Sequence, residues 1–258
     1  MGFNEQSEHH ASGHESSAVV DARQINDSLP LPRRGVPTWP QFKDHRRGPE
    51  ILNLVNVAKA FRTGPPWNRR LVKVLKDLTF SVSAGEMVGL VGENGSGKST
   101  AMQLIVGLLG CDSGTIEHPE RIGYCPQQPL LWEKLTVAEH FTLFATAYGL
   151  SPEDGQSAAD SLLDELDFSR YVDYRVERLS GGTRQKLNLA VALMHDPTLL
   201  LLDEPYSGFD WETYLRFWEM ARRRRDDGMG IVIVSHLLAE RERLDQVYEL
   251  RDGRAFRL

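Results

Sequence analysis

The residues Gly92-Glu93-Asn94-Gly95-Ser96-Gly97-Lys98-Ser99-Thr100 fit the spacing G-x-x-x-x-G-K-[ST] and follow an apolar run, residues 87–91, with the character of a buried strand. This pattern describes a phosphate-binding loop. Glycines let the backbone curl so that successive N–H groups point at a polyphosphate, Lys98 supplies a mobile cation, and Ser99 a hydroxyl for Mg2+. A helix starting near Lys98 and running through Val106 adds the positive end of its dipole at the same place. Taken alone, the pattern arises by chance about once in a hundred chains of this length, and the plainer alternative is a glycine-rich turn before a helix.

Two further stretches argue against that alternative. Leu199-Leu200-Leu201-Leu202-Asp203-Glu204-Pro205 reads as a parallel strand buried on both faces and ending in two acidic residues. In a doubly wound sheet, carboxylates at that end sit beside the phosphate loop. Between the two lies Leu179-Ser180-Gly181-Gly182-Thr183-Arg184-Gln185, directly before a helix-period run at Leu187, Leu189, Ala190, Leu193 and Met194.

Together these resemble the nucleotide-binding subunit of ATP-binding-cassette (ABC) transporters, whose L-S-G-G signature separates it from other phosphate-loop ATPases. The resemblance covers about residues 50–255. It implies an α/β fold: a phosphate-loop ATPase core with a mainly parallel sheet, an antiparallel β-subdomain and an inserted α-helical subdomain. The implied reaction is hydrolysis of the β–γ bond of ATP, where catalysis is mostly positioning and charge stabilisation. Gly92, Asn94, Gly95, Ser96, Gly97, Lys98, Ser99 and Thr100 then wrap the phosphates, with Ser99 and Asp203 holding Mg2+. Glu204 resembles the general base. Gln127 resembles the glutamine that touches Mg2+ and the water, with Gln128 as the neighbouring candidate. His236, after the apolar run 231–234, resembles the histidine that contacts the γ-phosphate. Phe61 stands where the family stacks an aromatic ring on adenine; a core phenylalanine is the bland alternative and Trp67 the weaker stacking candidate. Ser180, Gly181 and Gly182 open a helix and make a second anion site, which in the family faces the nucleotide of the opposite subunit, so that two domains close head to tail. Thr183 and Phe209 depart from the commonest residues at their places, but neither removes a group that handles phosphate.

Residues 136–145 and 148–150 look more like subunits of ABC-2-type exporters than like solute importers. The expectation is therefore a motor subunit of an exporter, peripheral on the cytoplasmic face, working as a homodimer with separate integral membrane permease subunits. A soluble ABC ATPase driving protein or iron–sulfur cluster assembly is the alternative, and a regulatory module that binds ATP without turnover is a third. Residues 129–135, with Leu131 and Trp132 read as exposed, form the expected docking surface for a membrane partner.

Along the chain, residues 1–48 are polar, rich in Ser, His, Asn and Pro, and read as a disordered extension; His9, His10 and His14 there are better read as tail than as metal ligands. Residues 49–258 form the ATP-binding domain, with a helical subdomain at about 129–182. Extended runs at 51–61 and 74–82 read as antiparallel strands flanking the phosphate-loop strand. Thr136 and Glu139 form a capping box opening a helix that continues to Gly149, and another helix spans about Pro152 to Leu166. The net charge of -6 over 258 residues gives no basic excess for nucleic acid, and Arg222 to Arg225, followed by Asp226 and Asp227, read as a solvated helix end. No apolar run reaches the length of a membrane span. Cys111 and Cys125 imply neither a metal site nor a disulfide.

Overall fold

The computed structural model describes residues 48–65, 67–235 and 238–258. The extension and its histidines, but for Gly48, and His236 lie outside them. Among the described residues the chain runs β1 (Glu50–Thr63), β2 (Arg70–Ser83), β3 (Met87–Val91), α1 (Lys98–Ile105), β4 (Ser113–Glu117), β5 (Ile122–Cys125), α2 (Val137–Ala147), α3 (Pro152–Glu165), α4 (Gly181–Leu193), β6 (Leu199–Asp203), α5 (Trp211–Asp226), β7 (Gly230–Val234), β8 (Gln246–Arg251) and β9 (Arg254–Arg257). The strands join one sheet in the order β4-β1-β2-β9-β8-β3-β7-β6-β5.

The mixed α/β architecture agrees with the expected fold class. Within the parallel block β8-β3-β7-β6-β5, the inner strands β3, β7 and β6 are built from the apolar runs and are buried throughout, and the alternation of side chains between two covered faces explains why those runs are nearly uniformly apolar. Leu200, Leu202, Ile231 and Ile233 enter one buried cluster with α4 and α5. Leu199, Leu201, Val232 and Val234 enter another with α1 and with Leu52, Leu54, Leu78 and Phe80 of the β1–β2 pair. One face of the block is thus covered by helices, the other by α1 and by antiparallel strands curling over it.

One placement differs from the sequence reading. The β1–β2 hairpin is antiparallel as expected, but it does not flank β3, whose neighbours are β7 and β8, both parallel to it. A hydrophobic pattern marks which face of a strand is buried and leaves the partner strand open. The C-terminal hairpin β8–β9, turning at Asp252 (φ 52°) and Gly253 (φ 75°), fills the intervening positions.

The helical elements between residues 136 and 193 follow their local signals. Thr136 accepts from Glu139 N–H at 3.1 Å, and the Glu139 carboxylate accepts from Thr136 N–H at 2.7 Å, completing the capping box of α2. Ser151 caps α3, with Pro152 in its first turn. Ser180 caps α4 by accepting from Thr183 N–H at 3.2 Å. No helix among the described residues is long and apolar enough to cross a membrane.

Candidate nucleotide site

The turn from β3 into α1 forms the floor of a cleft of about 470 Å3, lined by Phe61, Val74, Asn94, Gly95, Gly97, Lys98, Ser99, Thr100, Gln127, Asp203 and Glu204. Residues from five separate sequence regions therefore meet. Gly97 takes φ 106° at the N-cap of α1, a conformation that L side chains rarely adopt. The Lys98 side chain folds back so that its ammonium donates to the carbonyls of Gly92 at 2.7 Å and Glu93 at 2.9 Å. Burial pushes its pKa below the ordinary lysine value, and the nearby Glu204 and Asp203 carboxylates pull it partly back. Ser99 donates from Oγ to Asp203 Oδ2 at 2.9 Å, which joins the start of α1 to the end of β6 although β7 lies between β3 and β6 in the sheet.

Glu204 follows β6 with φ 50°, an uncommon left-handed conformation for a residue with a side chain. Its N–H donates to Val234 O at 3.1 Å, and Gln127 donates from Nε2 to Glu204 Oε2 at 2.8 Å. Of the two candidate glutamines, Gln127 lines the cleft and Gln128 does not; of the two aromatics, Phe61 lines it, while Trp67 is 86% exposed. Gly92 and Ser96 lie behind the lining rather than in it. A Cβ on Gly92 would meet Leu250 O at 2.5 Å, and Ser96 Oγ is buried without a hydrogen-bond partner. Ser180, Gly181 and Gly182, also expected at phosphate, are outside this cleft.

Three features fell outside the sequence reading. Val74 of β2 lines the cleft, and nothing in an extended run distinguishes it from its neighbours. Between Ile51 and Lys76 the sequence carries six basic and no acidic residues in a chain of net charge -6; this local excess beside the cleft favours anions and could have been read from charge alone. Asn188 of α4 donates from Nδ2 to Pro126 O at 2.8 Å, tying the helix that follows Ser180 to the segment that leads into Gln127.

The opening of α4 packs tightly against the loop after Glu204. A Cβ on Gly182 would lie 2.6 Å from Gly208 O, whereas one on Gly181 would meet nothing within 4 Å. Gly182→Ala is therefore expected to cost about 1–3 kcal/mol by overpacking and to lower the melting temperature by about 2–12 °C. Gly181→Ala, in the first turn of a helix that favours Ala over Gly, is expected to leave it unchanged or raise it; calorimetry of the two variants checks the contrast.

In residues 129–135 the expected exposed pair is corrected. Leu131 packs on the core cluster, and the exposed apolar residues are Leu130 at 73% and Trp132 at 53%. The loop is pinned from below by His140, fully buried, whose Nε2 accepts from Trp132 N–H at 2.9 Å while Nδ1 contacts Thr136 O at 2.8 Å. This pair of contacts requires a neutral ring protonated at Nδ1, and burial, which lowers the His140 pKa, favours that form.

The fold and this cleft define a phosphate-loop nucleotide-binding protein. The family model "ABC transporter" matches residues 75–207, and the chain belongs to that family. It is 37% identical over 194 residues to the "Nod factor export ATP-binding protein I" of Mesorhizobium japonicum, covering 70% of this chain and 57% of that protein. It is 32% identical over 220 residues to the "Lipopolysaccharide export system ATP-binding protein LptB" of Acidithiobacillus ferridurans, covering 80% and 88%. Among solved structures, the "ATP binding subunit of ABC transporter" superposes with a TM-score of 0.70 at 31% identity over 80% of this chain and 88% of that one. The dimeric cassette MJ0796 gives 0.71 at 25% identity, covering 80% and 96%.

Proposed function

We propose that this chain is the ATP-hydrolysing motor of a membrane exporter, closing head to tail with a second copy and docking on membrane-spanning permease subunits at the cytoplasmic face. The observation that carries the reading is the convergence of Lys98, Ser99, Gln127, Asp203 and Glu204 on one cleft while Ser180, Gly181 and Gly182, a second helix N-terminus suited to phosphate, stand outside it. Two copies arranged head to tail complete each cleft with the other's Ser180 segment. The export functions in the names of the relatives support the direction of transport, and the dimeric cassette supports the assembly.

The donor set fits a Mg2+-nucleotide. Ser99 and Asp203 present a hydroxyl and a carboxylate 2.9 Å apart, with Gln127 beside Glu204, the few oxygen ligands that suffice when phosphates supply the rest. Bound there, Mg2+ would neutralise charge that develops on the phosphate oxygens. The chain's own part is positioning. Lys98 exchanges its bonds to the Gly92 and Glu93 carbonyls for phosphate oxygens, Phe61 offers a ring for the base, and Glu204, oriented by Gln127, takes the proton of the attacking water.

The test is affinity isolation of the Glu204→Gln protein from gently solubilised membranes with ATP present. Recovery of one polytopic membrane protein, lost when Trp132→Glu is added, supports the motor reading. Recovery of soluble proteins alone favours the assembly ATPase.

A further inference from the structure

Glu240, only 3% exposed, lies in a 3-10 turn (Leu238–Arg243) outside the cleft, yet its carboxyl gathers hydroxyls from three separate segments. Tyr206 donates its O–H to Glu240 Oε2 and lies 2.8 Å from Ser235 Oγ. Ser235 donates to the same Oε2 at 3.2 Å, and Tyr214 of α5 donates to Oε1 at 3.1 Å. The segments matter more than the count. Tyr206 stands two residues after Glu204, and Ser235 is the residue immediately before His236.

We propose that Glu240 is a positioning residue of the nucleotide site, holding the segment that leaves Glu204 and the segment that enters His236 at a fixed spacing through Tyr206 and Ser235, and anchoring both to α5 through Tyr214. The inference rests on the ATPase reading above. A carboxylate suits this place because it is acceptor-only and can receive several hydroxyl donors at once. Burial pushes the Glu240 carboxyl upward, and the Tyr206, Tyr214 and Ser235 hydroxyls, then Arg243, pull it down. Burial likewise raises the Tyr206 phenol, and raises Tyr214 to about 12, so both remain donors. The aromatic packing around the carboxyl is stiff: Tyr206 sits 5.5 Å from Tyr214, 5.6 Å from Phe217 and 6.1 Å from Trp218, ring centre to ring centre. Arg243 covers the Tyr214 and Trp218 faces at 5.6 and 5.3 Å. In such packing a lost hydrogen bond is not readily replaced by water, and the hydroxyl left over must move. An amide at position 240 keeps the shape but replaces one acceptor by a donor, which turns one phenol away and loosens one of the two segments.

The experiment is ATP hydrolysis by the full chain carrying Glu240→Gln or Tyr206→Phe, with melting temperatures measured in parallel. Both variants are expected to lower kcat at least fivefold while the KM for ATP stays within twofold, because neither residue lines the cleft. Should Glu240→Gln fail to fold, Tyr206→Phe, which keeps the ring packing, decides alone. A kcat within twofold of the parent in the folded variants, or a loss carried by KM with kcat retained, overturns the positioning role. Absence of turnover in the parent chain overturns the ATPase reading instead.

Discussion

Glu204→Gln is expected to lower the rate of ATP hydrolysis by about 10²–10⁴-fold, the usual contribution of a positioned general base, while the nucleotide stays bound. Glu204 occupies the cleft with φ 50°, a backbone state that typically costs about 1–3 kcal/mol and that the fold holds by the bond from Glu204 N–H to Val234 O at 3.1 Å. The strain has a use: it turns the chain out of β6 just after Asp203, so that consecutive carboxyls serve different partners. Asp203 meets Ser99 and Glu204 meets Gln127. The amide of a glutamine is nearly isosteric, so the turn and the Lys98 and Ser99 contacts persist and affinity is retained, but the amide cannot take a proton from water. Binding and turnover separate in this variant. Measured turnover within tenfold of the parent would assign the base elsewhere. Equal loss of binding and turnover would mean that the carboxylate holds the loop rather than the water.

The site was legible where local sequence sets local geometry. The phosphate loop, the acidic strand end and the capped starts of α2, α3 and α4 each depend on a few adjacent residues whose backbone requirements are distinctive. In sequence, Gln127 is preferred to Gln128 on resemblance alone, because both side chains are equally capable, and the end of β5 brings Gln127 to Glu204. Strand neighbours were less legible. The runs at 199–203 and 230–234 announce burial on both faces, but a residue's burial carries no record of which strand lies beside it, and the hairpin β8–β9 intervenes between β2 and β3. Glu240 and Asn188 left no sequence signal at all: a glutamate among Glu and Arg residues and an asparagine in mid-helix both suggest solvent, and only long-range packing brings them to buried partners.

The arginine run shows the same limit and yields the largest expected effect on stability. Four consecutive arginines end α5, and composition alone assigns them all to water. Arg223 and Arg224 do reach outward to Glu165, at 3.2 and 2.8 Å. Arg225 turns inward: its side chain is 2% exposed, its guanidinium reaches Asp226 at 2.7 Å and Asp245 at 3.3 Å, and Asp245 in turn accepts from Met87 N–H at 2.8 Å. The chain thereby fastens the end of α5 to the first residue of β3, the strand that carries the phosphate loop. Arg225→Ala removes the cation and leaves its carboxylate partners in place, a change that costs about 3–5 kcal/mol in buried pairs. The value belongs at the lower end here because the Asp226 side chain is 33% exposed and water can recover part of its solvation. A loss of about 3 kcal/mol lowers the melting temperature by roughly 6–12 °C in a domain of this size. Arg223→Ala, at 57% exposure, is expected to change stability by about 1 kcal/mol or less, as exposed pairs do. Denaturant titration of both variants distinguishes a buried clasp from a charged helix end: equal midpoints for the two would return Arg225 to the solvated class, whereas a wide gap between them makes one arginine of four the tie that holds β3 in register with α5.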